Sequence, residues 1–119
     1  MNAPIFTIVI PAHNEEKYIG KCIEAIRAAS AHFDKEAVQI IVSANRCTDE
    51  TVAISRRMGA EVCENTVRCI SAVRNQGAAL AKGRILIFID ADSCMSEGSL
   101  TEIREMLSSG EFIGGGTRA

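Results

Sequence analysis

Ile85-Leu86-Ile87-Phe88-Ile89-Asp90-Ala91-Asp92 joins five consecutive apolar residues to a pair of acids. A short apolar run rich in Ile and Phe predicts a strand, and the lack of polar alternation predicts one buried within a sheet. Asp90 then stands at the lip of that buried strand. Upstream, Ile70, Val73, Gly77 and Leu80 mark one face of a helix closed by Gly83. Ala60 to Glu64 is short enough for an edge strand, and Gly59 before it can end a helix in a left-handed conformation. That helix runs through Arg57, with Thr48 or Asp49 as its cap. Val38 to Ser43 is another apolar strand.

Nearer the start, Ile5-Phe6-Thr7-Ile8-Val9-Ile10 is a strand closed by Pro11. Asn14-Glu15-Glu16 can cap the next helix and place acids in its first turn. Ile19, Cys22, Ile23 and Ile26 recur at helical spacing, and this helix ends near Ala29 to His32. Beyond the acidic pair, Ser96 or Ser99 can begin a fourth helix with Leu100, Ile103 and Leu107 inward and Gly110 after it. Glu111 to Ile113 can open a fifth strand. Strands alternating with helices imply right-handed crossovers. The expected fold class is α/β: a three-layer α/β/α domain around a mainly parallel open sheet, as one unit over residues 1–119.

Composition narrows the function classes. Hydrophobic residues make up 47% and charged residues 24% of the 119, a globular balance. The formal net charge of −2 offers no electrostatic pull toward nucleic acid or anionic lipid, and nucleic-acid binding is not expected. No apolar run approaches the roughly 20 residues that span a bilayer. No basic region, apolar stretch and cleavage site marks a signal peptide at the start. The expected compartment is the cytoplasm, or the cytosolic membrane face in a longer form. Cysteines 22, 47, 63, 69 and 94 are odd in number and lack C-x-x-C spacing, so they read as reduced, small apolar residues.

In open parallel sheets ligands bind beyond the carboxyl ends of the strands. Pro11-Ala12-His13-Asn14-Glu15, Ala44-Asn45-Arg46-Cys47-Thr48-Asp49 and Asp90-Ala91-Asp92 all fall there. Residues two apart share a face in a continuing strand, so both aspartates could address one side. If the chain turns, they can divide the work between a metal and a sugar hydroxyl. Hard cations such as Mg²⁺ or Mn²⁺ take such oxygens together with phosphate oxygens. Asp-Ala-Asp-Ser equally suits a turn. Glu15 reads as a ligand contact or as an acid at a helix start, and His13 as a contact or a plain loop residue. On spacing alone, Arg74 belongs to a solvated helical face.

Taken together, these segments resemble family 2 glycosyltransferases. Val9-Ile10-Pro11-Ala12-His13-Asn14-Glu15 is similar to that family's opening signature, a strand ending in Pro-x-x-Asn-Glu. Ala44 to Thr51 is similar to its Asp-Asp-Gly-Ser-Thr-Asp-x-Thr loop. Val73-Arg74-Asn75-Gln76-Gly77 with Ala81-Lys82-Gly83 resembles its Ala-Arg-Asn-x-Gly…Ala-x-Gly helix, and Ile87 to Asp92 its Asp-x-Asp strand. The resemblance implies a GT-A, Rossmann-like fold. It also implies sugar transfer from a nucleoside diphosphate donor, commonly a uridine diphosphate sugar, with Mg²⁺ or Mn²⁺. Pro11, Ala12, His13 and Glu15 would line the base and ribose pocket, with Arg74 near the base. Asp90 would approach ribose or donor sugar, and Asp92 with Asp90 would hold the metal. Ala44 and Asn45 stand where the family offers acids to the base, and Arg46 where it has Gly. Asn45 keeps hydrogen-bonding capacity there.

The family's general base, a carboxylate well downstream of Asp-x-Asp, has no counterpart here, so no catalytic residue is identified. The chain is expected to be a truncated, donor-binding half, its acceptor unspecified. The alternative is a non-catalytic nucleotide-binding or assembly module, with a second copy of the chain covering an open sheet edge.

Overall fold

A computed structural model describes residues 4–31, 33, 37–95, 98 and 100–103. Seven elements alternate as expected. In chain order they are β1 (Phe6–Ala12), α1 (Ile19–Ala29), β2 (Val38–Asn45), α2 (Thr51–Arg57), β3 (Glu61–Asn65), α3 (Ile70–Ala78) and β4 (Ile85–Phe88). The sheet has the order β3-β2-β1-β4, with every pairing parallel. The chain crosses from β3 back past β2 and β1 to β4, so the winding reverses beside β1, which opens a crevice at the carboxyl ends of β1 and β4. The fold class is therefore the expected α/β/α arrangement.

Strand register sorts the side chains onto two faces. Phe6 pairs with Val38 and Ile8 with Ile40, so Phe6, Ile8, Ile10 and Ala12 share a face with Val38, Ile40, Val42 and Ala44. These residues join Ile19, Cys22, Ile23, Ile26 and Ala29 of α1 in one apolar core, with Val52, Ile54 and Met58 packed beside it. Ile19, Ile23 and Ile26 are fully covered, each contributing about 1.5–3 kcal/mol by leaving water.

The opposite face is different in kind. It carries Thr7, Val9, Gln39, Ile41, Ser43 and Asn45, and α3 lies across it. Gly77 lets the helix approach: a Cβ there would come within 2.5 Å of a Val9 methyl carbon and 3.3 Å of the Ser43 Cβ. The buried polar residues of this face bond one another. Thr7 Oγ1 donates to Gln39 Oε1 at 2.7 Å and accepts the Gly83 N–H at 2.8 Å. Gln39 Nε2 donates to Glu61 Oε1 and to the Leu80 carbonyl, both at 3.1 Å.

Some local expectations need correcting. α1 starts at Ile19 with no side-chain cap and no acid in its first turn, because Asn14 and Glu15 belong to a preceding loop. α3 buries Val73 and Gly77, whereas Ile70 and Leu80 are 59% and 43% exposed. The helix is too short to lay all four residues on the sheet. β4 ends at Phe88, although the Ile89 N–H still reaches the Val9 carbonyl at 3.1 Å. The N-cap of α2 is Glu50, without a side-chain cap bond; Asp49, one residue earlier, accepts the Thr51 N–H on its Oδ1 at 2.9 Å. Gly59 follows α2 with φ +85°, as expected, and β3 is the edge strand foreseen. Residues 100–103 include helical turns, with Leu100 buried. Ser96, Ser99, Leu107, Gly110 and the proposed fifth strand lie outside the described residues.

Candidate functional site

The loops after β1 and β2 are laced together at the carboxyl end of the sheet. Asn14, at φ 51°, accepts the Thr48 N–H on its Oδ1 at 2.7 Å. The Glu15 N–H donates to Thr51 Oγ1 at 2.9 Å, and the Glu16 N–H to Asp49 Oδ2 at 3.2 Å. Glu16 Oε2 returns the contact by accepting the Glu50 N–H at 3.3 Å. Arg46 holds φ 50°, a left-handed conformation that Gly adopts freely and Arg does not. The loop has kept a glycine-like backbone without its glycine.

His13 is exposed, and its Nδ1 lies 2.7 Å from the Asn45 carbonyl oxygen. A carbonyl only accepts, so Nδ1 carries the hydrogen. Pro11 and Ala12 are buried, Ala12 within the apolar core shared with α1. Asn45 is 7% exposed, its amide turned toward the end of β3 and the loop after it.

The chain turns after β4, with the Ser93 N–H bonded to the Asp90 carbonyl at 3.0 Å. Asp90 and Asp92 are exposed at that turn and Ala91 is buried between them. The Cys22 thiol of α1 reaches the Asp90 carbonyl at 3.7 Å and anchors the turn to the core. Burial, then Cys94, Asp92 and Asp90 nearby, push the Cys22 thiol up to about 12, so it remains a neutral packing group.

Electrostatics shows which carboxylates share a neighbourhood. Glu15 is raised above its ordinary value by burial first, then by Asp92 and Asp49, with Asp90 adding less and His13 opposing. The β1 loop, the β2 loop and the Asp90–Asp92 turn thus crowd negative charge onto one place. Among the described residues no three His, Cys, Asp or Glu side chains converge as a ready metal cage. One or two carboxylates with phosphate oxygens form the more open kind of site a hard cation accepts. The acids here fit that kind, and a cation would relieve their mutual repulsion.

Arg74 lies on the α3 side, its guanidinium carbon 5.9 Å from the centre of the Phe88 ring. Its Nε is buried and, among the described residues, is the one buried side-chain polar atom without a hydrogen-bond partner. An orphaned buried donor costs about 1–3 kcal/mol. Sequence reasoning overlooked Ser43 and Asn65, which orient the Asn45 amide. Ser43 closed a strand that looked wholly apolar, and Asn65 lay one residue past the expected end of β3.

An open parallel sheet with acids gathered at its switch point defines an α/β domain whose ligand crevice lies at the carboxyl ends of the strands. Residues 7–118 match the model of glycosyl transferase family 2, and the chain belongs to that family. It is 28% identical over 104 residues to the minor teichoic acid biosynthesis protein GgaB of Bacillus subtilis, covering 82% of this chain and 11% of GgaB. The glucosyl-3-phosphoglycerate synthase of Mycobacterium tuberculosis, solved with Mn²⁺, uridine diphosphate and glucosyl-3-phosphoglycerate, superposes with a TM-score of 0.69. It shares 26% identity over 87% of this chain and 39% of that one. The mannosyltransferase PcManGT of Pyrobaculum calidifontis, solved with GDP-mannose and Mn²⁺, has the same fold (TM-score 0.79, 20% identity, 91% and 33% coverage). The chain therefore spans about a tenth to two fifths of the length of these proteins. Among the described residues, no helix is long and apolar enough to cross a membrane.

Proposed function

We propose that residues 1–119 form a donor-binding unit that holds a nucleoside diphosphate sugar through a divalent cation for glycosyl transfer. What carries this reading is the neighbourhood of Glu15 in the β1 loop, whose carboxyl is raised by burial and by Asp49 of the β2 loop and Asp92 and Asp90 of the turn after β4. Asp92, assisted by Asp90, would hold Mg²⁺ or Mn²⁺. The cation would neutralise the diphosphate and stabilise it as a leaving group. Asp90 would also approach the ribose or donor sugar. His13, Glu15 and Asn45 would line the base and ribose pocket beside Pro11 and Ala12. The orphaned Nε–H of Arg74 supports its role as a nucleotide contact, since a carbonyl or phosphate oxygen would satisfy it.

Uridine diphosphate is the donor nucleotide we favour, in keeping with the uridine diphosphate bound by the mycobacterial synthase. The acceptor-activating base would come from outside the residues placed here. Five free cysteines suit a reducing cytoplasmic compartment. The experiment is a calorimetric titration of the chain with uridine diphosphate, with and without Mn²⁺. Saturable binding that needs the cation supports the reading, and no binding in either buffer refutes it.

A further inference from the structure

A chain of buried hydrogen bonds fixes which way the Asn45 amide faces. It starts at the Val73 carbonyl of α3, which can only accept. The Ser43 hydroxyl donates to it at 2.7 Å, and its oxygen then accepts Asn65 Nδ2 at 3.0 Å. With its nitrogen committed to Ser43, Asn65 turns Oδ1 toward Asn45 and receives Asn45 Nδ2 at 2.9 Å. The second hydrogen on Asn45 Nδ2 goes to the Val67 carbonyl at 2.6 Å. Both amide hydrogens are consumed. Asn45 Oδ1 is left with one long contact, 3.5 Å from Nε of the exposed Arg46.

Resting on the donor-site reading above, we propose that Ser43 and Asn65 are positioning residues that lock Asn45 as a hydrogen-bond acceptor toward the base. The site thereby selects bases with a ring N–H over cytosine. Uracil at N3 and guanine at N1 present a donor, whereas cytosine at N3 presents a lone pair. Against a fixed carbonyl oxygen, the lone pair leaves two acceptors facing each other in a poorly hydrated spot, a mismatch that cannot be relieved while the amide is locked. A freely rotating Asn would read either base by flipping. The polarity of the network comes from the carbonyls at its two ends, so it does not depend on pH in the physiological range.

Three nucleotides test this assignment: uridine, guanosine and cytidine diphosphate, titrated with Mn²⁺ into the parent chain and two variants. The parent is expected to bind the uridine or the guanosine form at least about tenfold more tightly than the cytidine form. The parent's tighter partner tells which ring N–H the pocket admits. Asn65→Leu removes the lock and should bring that ratio to within about threefold, chiefly through tighter cytidine diphosphate binding. Asn65→Asp keeps an acceptor facing Asn45 Nδ2, so it should retain the parent's ratio even if it loses stability. A merely structural role would lower all affinities together and leave the ratio alone. A parent that binds no nucleoside diphosphate sinks the donor-site reading. A parent that binds without preference, or an Asn65→Leu chain that keeps the parent's ratio, overturns only the role of Ser43 and Asn65.

Discussion

Asn14 Oδ1 accepts the Thr48 N–H at 2.7 Å while its own backbone sits at φ 51°. One residue thus supplies both the left-handed turn after β1 and the tie to the loop after β2. Asn tolerates this conformation better than other side chains. Asn14→Ala should cost about 1–3 kcal/mol, from the lost hydrogen bond and the strained backbone together. Asn14→Gly, which removes the strain but also the bond, should cost less. Urea denaturation of both variants checks the order, and an Ala variant as stable as the Gly variant would count against it.

Arg46 presents the converse case, a left-handed residue whose side chain gains little from it. Its Nε contact with Asn45 is long, at 3.5 Å. Arg46→Gly should therefore leave stability unchanged or raise it by up to about 1 kcal/mol, relief of strain outweighing the freer unfolded chain. Thermal melts decide this, and a clear loss would mean that Arg46 makes contacts of real value.

Gly83 sets how closely the turn before β4 approaches β1. A Cβ there would fall 2.6 Å from the Phe6 carbonyl carbon and 2.6 Å from the Thr7 nitrogen, both backbone atoms that cannot rotate aside. Gly83→Ala should destabilise by about 1–3 kcal/mol and break the Gly83 N–H to Thr7 bond. Gly98→Ala, with nothing among the described residues within 4 Å of the added carbon, is the control. Equal denaturation midpoints for the two variants would refute the close approach.

Much of this architecture was legible in the sequence, because buried parallel strands write themselves as uninterrupted apolar runs. β1, β2 and β4, their alternation with helices and the gathering of acids at their carboxyl ends follow from that pattern, although β4 lies at the sheet edge with only Ile87 buried. The short polar β3 is marked instead by Gly59 before it. The failures share a cause. Asn14 and Glu15 have the composition of a helix start, yet tertiary partners at Thr48 and Thr51 claim them for a loop. Thr7, Gln39 and Ser43 sit singly within apolar runs, so the polar network beneath α3 leaves no periodic signature. Its existence depends on which strands become neighbours. Ile70 and Leu80 kept helical spacing with Val73 and Gly77, but the sheet offers cover only to the middle of that helix.

Acid should loosen the joint between the two loops. Partial burial pushes the Asp49 carboxyl up, but the Thr51 hydroxyl, the Thr51 N–H and the Glu16 N–H outweigh it and hold it below its ordinary value. A carboxyl depressed in the folded chain stabilises fully above its unfolded value near about 4, and that contribution is lost as pH falls through the depressed value. Glu15, raised in the folded chain, acts in the opposite sense: its contribution is lost as pH rises through its raised value. Asp49→Asn, which can still accept the Thr51 N–H but cannot titrate, should flatten the acid limb of stability between about pH 5 and 2. Denaturation midpoints across that range measure it, and an unchanged acid limb would remove Asp49 from the account.

The central claim is that Asp92, assisted by Asp90, holds a cation against a diphosphate, and the Asp92→Asn chain tests it most directly. Uridine diphosphate affinity should be measured by calorimetry for parent and variant, with Mn²⁺ and with chelator. The account predicts that Mn²⁺ strengthens binding at least about tenfold in the parent and by less than about twofold in Asp92→Asn. Equal enhancement by Mn²⁺ in both chains would contradict it.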